Sequence, residues 1–318
     1  MNNHLLNKLN KVRSCLDQVK FGGFLSFVGA TSILSLVLSD VVGDRLDTIA
    51  GAPTYSHSLS LRTRCHDAVR ILGDRNIHAK IPKSIIDSLG SIESQDIPSH
   101  NNNNNIAIIG SNKIGLENAL ILASQHGIPG FILTSTLTGD CSLKAKQFAR
   151  VCRGILQKDI SSSLELVSAF VGQTSGLEDF LLNAFKSKVF SLWFGGEATV
   201  SISRDKTSQN YIGGGRCSHF GLAVATEWSK IGLPSGQVSL LALATDGLDG
   251  PSAQGCGVVV TRETVPTDTI NSAQEYLTAG DSYGFFLSGM SPKCQVLPPQ
   301  LTGSNVMDIF GCIFENHS

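Results

Sequence analysis

The chain has 318 residues, 42% hydrophobic and 16% charged, which is enough to bury a sizeable core in two domains or one large α/β domain. Lysine and arginine together number 25 against 26 aspartates and glutamates, a balance that argues against a nucleic-acid or anionic-membrane surface. The eight cysteines form no C-x-x-C pair and no zinc-finger spacing, so they are expected as small core residues in a reducing compartment such as the cytoplasm.

Leu5, Leu6, Leu9, Val12, Leu16 and Val19 recur at helical spacing and predict an amphipathic helix ending near Lys20. Its charges argue against a secretory leader. Phe21 to Ser39 carries no charge, but it is broken by glycines, serines and threonines. It reads as a turn and short helix followed by a buried strand, Ser32 to Leu38, rather than a membrane span. That strand feeds the polar turn Ser39-Asp40-Val41-Val42-Gly43-Asp44. Helices are expected near Arg64–Leu72 and Lys83–Leu89, and the run Asn101 to Asn105 reads as a solvated loop. A short buried strand at Ile106–Ile109, a helix at Leu116–Gln125, a strand at Phe131–Leu133 and a helix at Leu143–Leu156 then alternate. That alternation predicts a parallel α/β sheet.

The segment from Leu156 to Lys188 reads as helical and as a bridge between a first domain, 1–187, and a second, 188–318. In the second, strands are expected at Val189–Trp193 and Ala198–Ile202, on either side of Gly195-Gly196-Glu197. Gly213-Gly214-Gly215-Arg216 precedes a helix at Ser218–Lys230. The strand Val238–Leu243 leads into Thr245-Asp246-Gly247-Leu248-Asp249-Gly250-Pro251, followed by a strand at Cys256–Val260 and a helix at Thr269–Leu277.

Two features point to chemistry. Glycines before a helix expose backbone N–H groups to an anion, and an arginine fork grips phosphate or carboxylate. Gly214, Gly215 and Arg216 therefore read as an anion-binding loop, with a surface arginine in a flexible loop as the alternative. Two aspartates in a glycine turn at a strand's carboxyl end, Asp246 and Asp249 beside Thr245, can hold magnesium or a polyol hydroxyl, or can simply cap the turn. Glu197 stands either at a ligand or in a structural ion pair. His219 is either a general base or a satisfied structural histidine. Asp40 and Asp44 either line a cleft or make Asx turns. Lys20 meets phosphate or closes its helix. Ser111 and Asn112 touch nucleotide or cap a helix, and Thr302, Ser304 and Asn305 form a polar strand-edge cluster. No G-x-x-x-x-G-K-[ST] loop and no Gly-x-Gly-x-x-Gly turn opens a βαβ unit, so hydride transfer has no support.

Several motifs occur in one order along the chain: Ser39-Asp40-Val41-Val42-Gly43-Asp44, Pro53-Thr54, Ile109-Gly110-Ser111-Asn112, Gly195-Gly196-Glu197-Ala198-Thr199-Val200, Gly214-Gly215-Arg216, Thr245 to Pro251, Asp281-Ser282-Tyr283, and Thr302 to Asp308. Taken together they resemble the glycerate 2-kinase family, whose C-terminal part is the MOFRL domain. The resemblance implies an incomplete Rossmann-like α/β domain followed by a complete α/β MOFRL-type domain, with a site in the cleft between them. It implies phosphorylation of D-glycerate by ATP with Mg2+. Arg216 and Asp246 would be catalytic, with Asp246 also on the metal. Asp249, Glu197, Gly214, Gly215, Thr245, Asp40 and Asp44 would bind substrate, and Lys20, Ser111, Asn112 and Asn305 the nucleotide. The chain departs from the family at Phe21, Gly51-Ala52, Cys217-Ser218-His219 and Gly280, and it begins inside the family's first domain, without that domain's lysine and serine-glycine loop. A catalytically incompetent isoform is the alternative, acting as a binding or regulatory partner that is oligomeric or docks on a full-length subunit. A mitochondrial location stays open for a longer form.

Overall fold

The computed structural model describes residues 3–28, 32–55, 61–74, 80–91, 104–200, 211–251 and 254–316. They form two compact units, residues 1–37 with 44–109 and residues 38–43 with 110–318. The division therefore does not fall at 187/188. One six-stranded sheet runs across that expected boundary.

The first unit holds the helices α1 (Asn3–Arg13), α2 (Leu61–Asp74) and α3 (Lys83–Ser91), with a two-stranded sheet of β1 (Ile33–Leu38) and β2 (Asn104–Gly110). Its core is small, built on Cys15, Cys65, Ala68, Leu72 and Leu89. Helix α1 stops at Arg13 rather than near Lys20. The reason is local: the Asp17 carboxylate accepts from the N–H groups of Val19 at 2.9 Å and Lys20 at 3.0 Å, a turn that competes with helical hydrogen bonds. Nor is β1 a buried strand, because Leu34, Leu36 and Leu38 alternate onto an exposed face. In β2, Ile109 is exposed as well. Asn104 and Asn105 open β2, and the rest of the asparagine run lies outside the described residues. Among the described residues no helix is long and apolar enough to cross a membrane.

The second unit is built on the strands β3 (Gly130–Asp140), β4 (Val189–Thr199), β5 (Gln237–Ala244), β6 (Gly257–Thr261), β7 (Cys294–Leu297) and β8 (Asp308–Glu315), in the order β3-β4-β8-β5-β6-β7. Only β3 and β4 run parallel; every other pairing in this sheet is antiparallel. The expected parallel sheet is thus a mixed one, because the last strand inserts between β4 and β5. The remaining helices are α4 (Asn112–Gln125), α5 (Cys141–Leu156), α6 (Ile160–Val171), α7 (Leu177–Ala184), α8 (Arg216–Ile231), α9 (Ile270–Ala279) and α10 (Ser282–Leu287). Helices α6 and α7 bridge nothing; α6 packs on α5 and β3, and α7 packs on β3. The expected strand at Ala198–Ile202 is the end of one continuous β4, and residues 201–210 lie outside the described residues. Gly195 sits inside that strand because a Cβ there would overlap the Asn112 side chain and the Asp308 carbonyl.

Phenylalanines hold this unit together. Phe194 stacks on Phe310 with ring centroids 4.9 Å apart and meets Phe148 at 4.6 Å. Helix α8 is buried from Cys217 through Trp228, between α5, α9 and the sheet. Packing on that scale fixes the helix, and with it the position of its first residue, Arg216.

Candidate active site

The strand register assembles the site. Gly196 of β4 and Ala244 of β5 both lie opposite Asp308, the first residue of β8. Glu197, Asp308 and the turn beginning at Thr245 therefore emerge at one edge of the sheet, at the carboxyl ends of β4 and β5. The N-terminus of α8 meets them there.

Asp249 makes that meeting possible. Its carboxylate accepts from the N–H of Cys217 at 2.8 Å and of Ser218 at 2.7 Å, in the first turn of α8. A carboxylate in this position satisfies orphan helix donors and complements the helix dipole. Asp249 is only 1% exposed, and both of its oxygens are engaged in holding the helix.

The glycine loop is engaged in the same way. A Cβ at Gly215 would overlap Asp249, and one at Gly214 would overlap the Ser282 hydroxyl, so these glycines permit close packing. Their neighbours' donors are consumed internally. Ile212 and Gly213 donate to Asp281 at 3.1 and 2.6 Å, and Gly215 donates to the Ser218 hydroxyl at 3.0 Å. The expected anion cradle of backbone N–H groups is in large part already occupied by the protein's own side chains.

What the loop presents outward is the Arg216 guanidinium. Its Nε and Nη2 bind the two oxygens of Asp308 at 2.7 and 3.2 Å, and its Nη1 binds Glu197 at 3.0 Å. The two carboxylates differ in setting: Asp308 is 1% exposed, whereas the Glu197 side chain is 48% exposed. Burial pushes the Asp308 carboxyl up to about 6, against the pull of the Arg216 fork, so it is ionised at neutral pH. Burial also works against the Arg216 charge, but Asp308 and Glu197 outweigh it and hold the arginine more firmly protonated than usual.

Further residues fix Asp308. The Asn112 side-chain amide donates to the carbonyls of Val306 and Asp308, both at 2.9 Å, bracing the chain as it enters β8. Ser111 caps α4 by accepting from the Ile114 N–H at 3.4 Å. Both are buried, and the Asn112 side-chain oxygen has no hydrogen-bond partner among the described residues. Thr245 is a second brace: its hydroxyl donates to the Met307 carbonyl at 2.7 Å and accepts from the Val306 N–H at 2.8 Å. Asn305 is exposed, and its side-chain oxygen accepts from the Met307 N–H at 2.9 Å.

Asp246 is half-buried, and one of its oxygens accepts from the Leu248 N–H at 3.0 Å. Asp40 is exposed. His219 is buried and bonded through Nε2 to the Ser142 hydroxyl at 2.7 Å, burial lowers its pKa, and its Nδ1 has no hydrogen-bond partner among the described residues. Lys20 and Asp44 belong to the first unit. There Lys20 pairs with Asp17 at 3.7 Å and lays its stem against Gly51, and Asp44 takes a left-handed backbone conformation at φ 52°. Sequence reasoning quotes Asp281 and Asp308 within motifs but gives neither a role; Asp281 stands just before α10 and Asp308 opens β8.

A separate cavity of about 460 Å³ lies at the far end of α8, lined by Trp228, Leu233, Arg262 and Pro266. It includes none of the residues above.

A mixed sheet with an arginine anchored where helix α8 meets its strand ends defines an α/β protein with one guanidinium held at the carboxyl ends of its strands. Residues 3–90 match the domain of unknown function DUF4147, and residues 190–308 match the MOFRL family. Glycerate kinase of Rattus norvegicus is 30% identical, covering 97% of this chain and 60% of its own length. D-glycerate 2-kinase of Thermotoga maritima is 28% identical, over 96% of this chain and 62% of its own. The crystal structure of the Thermotoga maritima glycerate kinase superposes with a TM-score of 0.71 at 27% identity, covering 96% of this chain and 63% of that one. The chain carries a MOFRL-family match over residues 190–308 and is similar to glycerate kinases over nearly its whole length, and it spans about three-fifths of the length of these relatives.

Proposed function

We propose that this chain carries the reaction of its relatives, transfer of the γ-phosphoryl of ATP to the 2-hydroxyl of D-glycerate. The observation that carries the reading is the Arg216 guanidinium, held by a buried carboxylate and still offering N–H groups to an anion. Phosphoryl transfer depends on positioning and charge neutralisation more than on covalent chemistry from the protein. In this reading the glycerate 2-hydroxyl oxygen bonds to the γ-phosphorus as the bond to the bridging oxygen breaks, ADP leaves and the hydroxyl proton passes to solvent. Arg216 orients the substrate carboxylate or neutralises the moving phosphoryl group. Asp308, Asn112 and Thr245 hold the arginine and its surroundings still. Asp249, Gly214 and Gly215 fix the helix that carries it.

Mg2+ fits the residues present in a limited way. Among the described residues no three acidic or metal-binding side chains cluster, but one Asp246 oxygen has no hydrogen bond and the residue is half-buried. A single carboxylate with waters and phosphates is the usual setting for nucleotide-borne magnesium, which would supply charge neutralisation at the phosphates. Asp246 would hold it. Asn305 and Asp40, exposed in the second unit, and Lys20 and Asp44 in the first are further proposed ligand contacts. No observation of its own favours the binding-partner alternative.

The test is glycerate-dependent ADP release by the chain with ATP and magnesium, beside Arg216→Ala. We expect the variant to lose at least about 10³-fold in kcat/KM, as for the loss of a key cation in phosphoryl transfer. An unchanged kcat/KM would refute the assignment of Arg216.

A further inference from the structure

Arg216 binds its two carboxylates in different ways. Asp308 takes the side of the fork through Nε and Nη2, and its side chain is only 2% exposed. Glu197 takes a single bond to Nη1 at 3.0 Å, with the arginine and glutamate side chains 38% and 48% exposed. A guanidinium has five N–H donors, so two remain uncommitted, one on each terminal nitrogen. The cluster as it stands holds one cation and two anions, and an incoming anion would meet excess negative charge. An exposed single-bonded pair contributes only about 0–1 kcal/mol, so it exchanges readily. A buried two-bonded pair does not, because breaking it strands a desolvated charge.

We infer that Glu197 is a built-in stand-in for the substrate carboxylate: it holds the Arg216 Nη1 position and is displaced when a small carboxylate binds the terminal edge of the fork. The inference rests on the reading of Arg216 as an anion ligand and adds the residue that competes for it. Asp308 keeps the guanidinium in place during the exchange, so only the exposed arm moves. Glu197 thereby sets a threshold for anion binding. A ligand that offers two oxygens to the terminal edge replaces one hydrogen bond with two, whereas a ligand with a single acceptor gains nothing over Glu197.

The experiment is calorimetric titration of the chain with D-glycerate, and separately with acetate, for the wild type, Glu197→Gln, Glu197→Ala and Arg216→Ala. Thermal melts confirm that each variant is folded. Removing the competing charge is expected to tighten glycerate binding about fivefold in both Glu197 variants, the scale set by an exposed ion pair. Acetate, which carries the same carboxylate, is expected to gain by a similar factor. Arg216→Ala should abolish both responses. Unchanged or weaker binding in the two Glu197 variants, with binding still lost in Arg216→Ala, would overturn the stand-in role and leave the arginine site intact. Wild-type-like binding in Arg216→Ala, or no binding by any of the four proteins, would overturn both readings.

Discussion

The two units solve the problem of burial differently. The second encloses a continuous core of aromatic and aliphatic side chains and also buries charge. Asp249, Asp281 and Asp308 are all buried, each with fixed donors from distant parts of the chain. The first gathers five small or medium side chains into its core and leaves Leu34, Leu36 and Leu38 on an open sheet face. Its ion pairs among the described residues, Lys11–Asp67, Lys20–Asp17, Arg45–Asp47 and Arg70–Asp67, sit at the surface, where they contribute little. Its one buried charge among the described residues, Arg64, donates to the Ser14 carbonyl at 3.0 Å. The difference teaches where precise chemistry can be placed. A group such as Arg216 holds its position only where packing and buried hydrogen bonds leave no alternative, and the second unit supplies both.

The largest effect that would sharpen this contrast is a cavity in each core. Phe310→Ala removes a ring stacked between β8 and α8, in contact with Phe194 and Phe220, and should destabilise the second unit by about 3–5 kcal/mol. Leu72→Ala should destabilise the first unit by less, because a thin core with water nearby relaxes around the loss more easily. Hydrogen exchange resolved by residue checks both. If Leu72→Ala lowers protection throughout α8, the two units do not stand as separate cores and the comparison breaks.

Much of the second unit was legible in advance because its signals are local. The Val238–Leu243 run and the Ser218–Lys230 periodicity fall within the observed β5 and α8, each short by one or two residues at its ends. The glycine-arginine loop and the double-aspartate turn were recognised as the site's materials. What local signals could not give was pairing. The insertion of β8 between β4 and β5 joins segments more than 60 residues apart, so the alternating pattern read as a parallel sheet. Asp308 was given no role because its partner, Arg216, lies 92 positions away. The capping role of Asp249 toward α8 is not legible in sequence, since a carboxylate that caps a distant helix looks the same there as one that faces a ligand. In the first unit, the apolar content of Phe21–Ser39 was read as burial, whereas half of β1 faces outward.

Asp246 and Asp249 bring the contrast between surface and interior into a single turn, and they should separate cleanly. Asp249→Ala strands the N–H groups of Cys217 and Ser218 in a buried site. It should cost about 3 kcal/mol of stability, with activity lost through displacement of Arg216. Asp246→Ala removes one bond to the Leu248 N–H in a half-buried turn, so stability should change by roughly 0.5–1 kcal/mol while kcat falls. Denaturant melts paired with kcat for each variant provide the measurement. Equal losses of stability would mean that both aspartates are structural.

The last effect concerns the Asp308 proton, and it shows only as the pH changes. Burial raises this carboxyl from the ordinary aspartate value of 3.8 to about 6, so between those values the folded protein binds the proton more tightly than the unfolded chain does. The stability this group contributes is therefore fully present below about pH 4 and is lost as the pH rises through about 6, amounting to at most about 3 kcal/mol for a two-unit shift. Other carboxylates run the opposite way, so the group must be isolated by comparing wild type with Asp308→Asn across this range. The wild type should lose stability relative to the variant as the pH rises from 4 to 7, with the midpoint of the difference near 5 to 6. Activity should follow the opposite course in the wild type, because a neutral Asp308 loosens its hold on Arg216. A flat difference in stability would mean that the Arg216 fork fully offsets the burial of Asp308. The site would then be held by the ion pair itself rather than by the packing around it, and the contrast between the two units would narrow to their apolar cores.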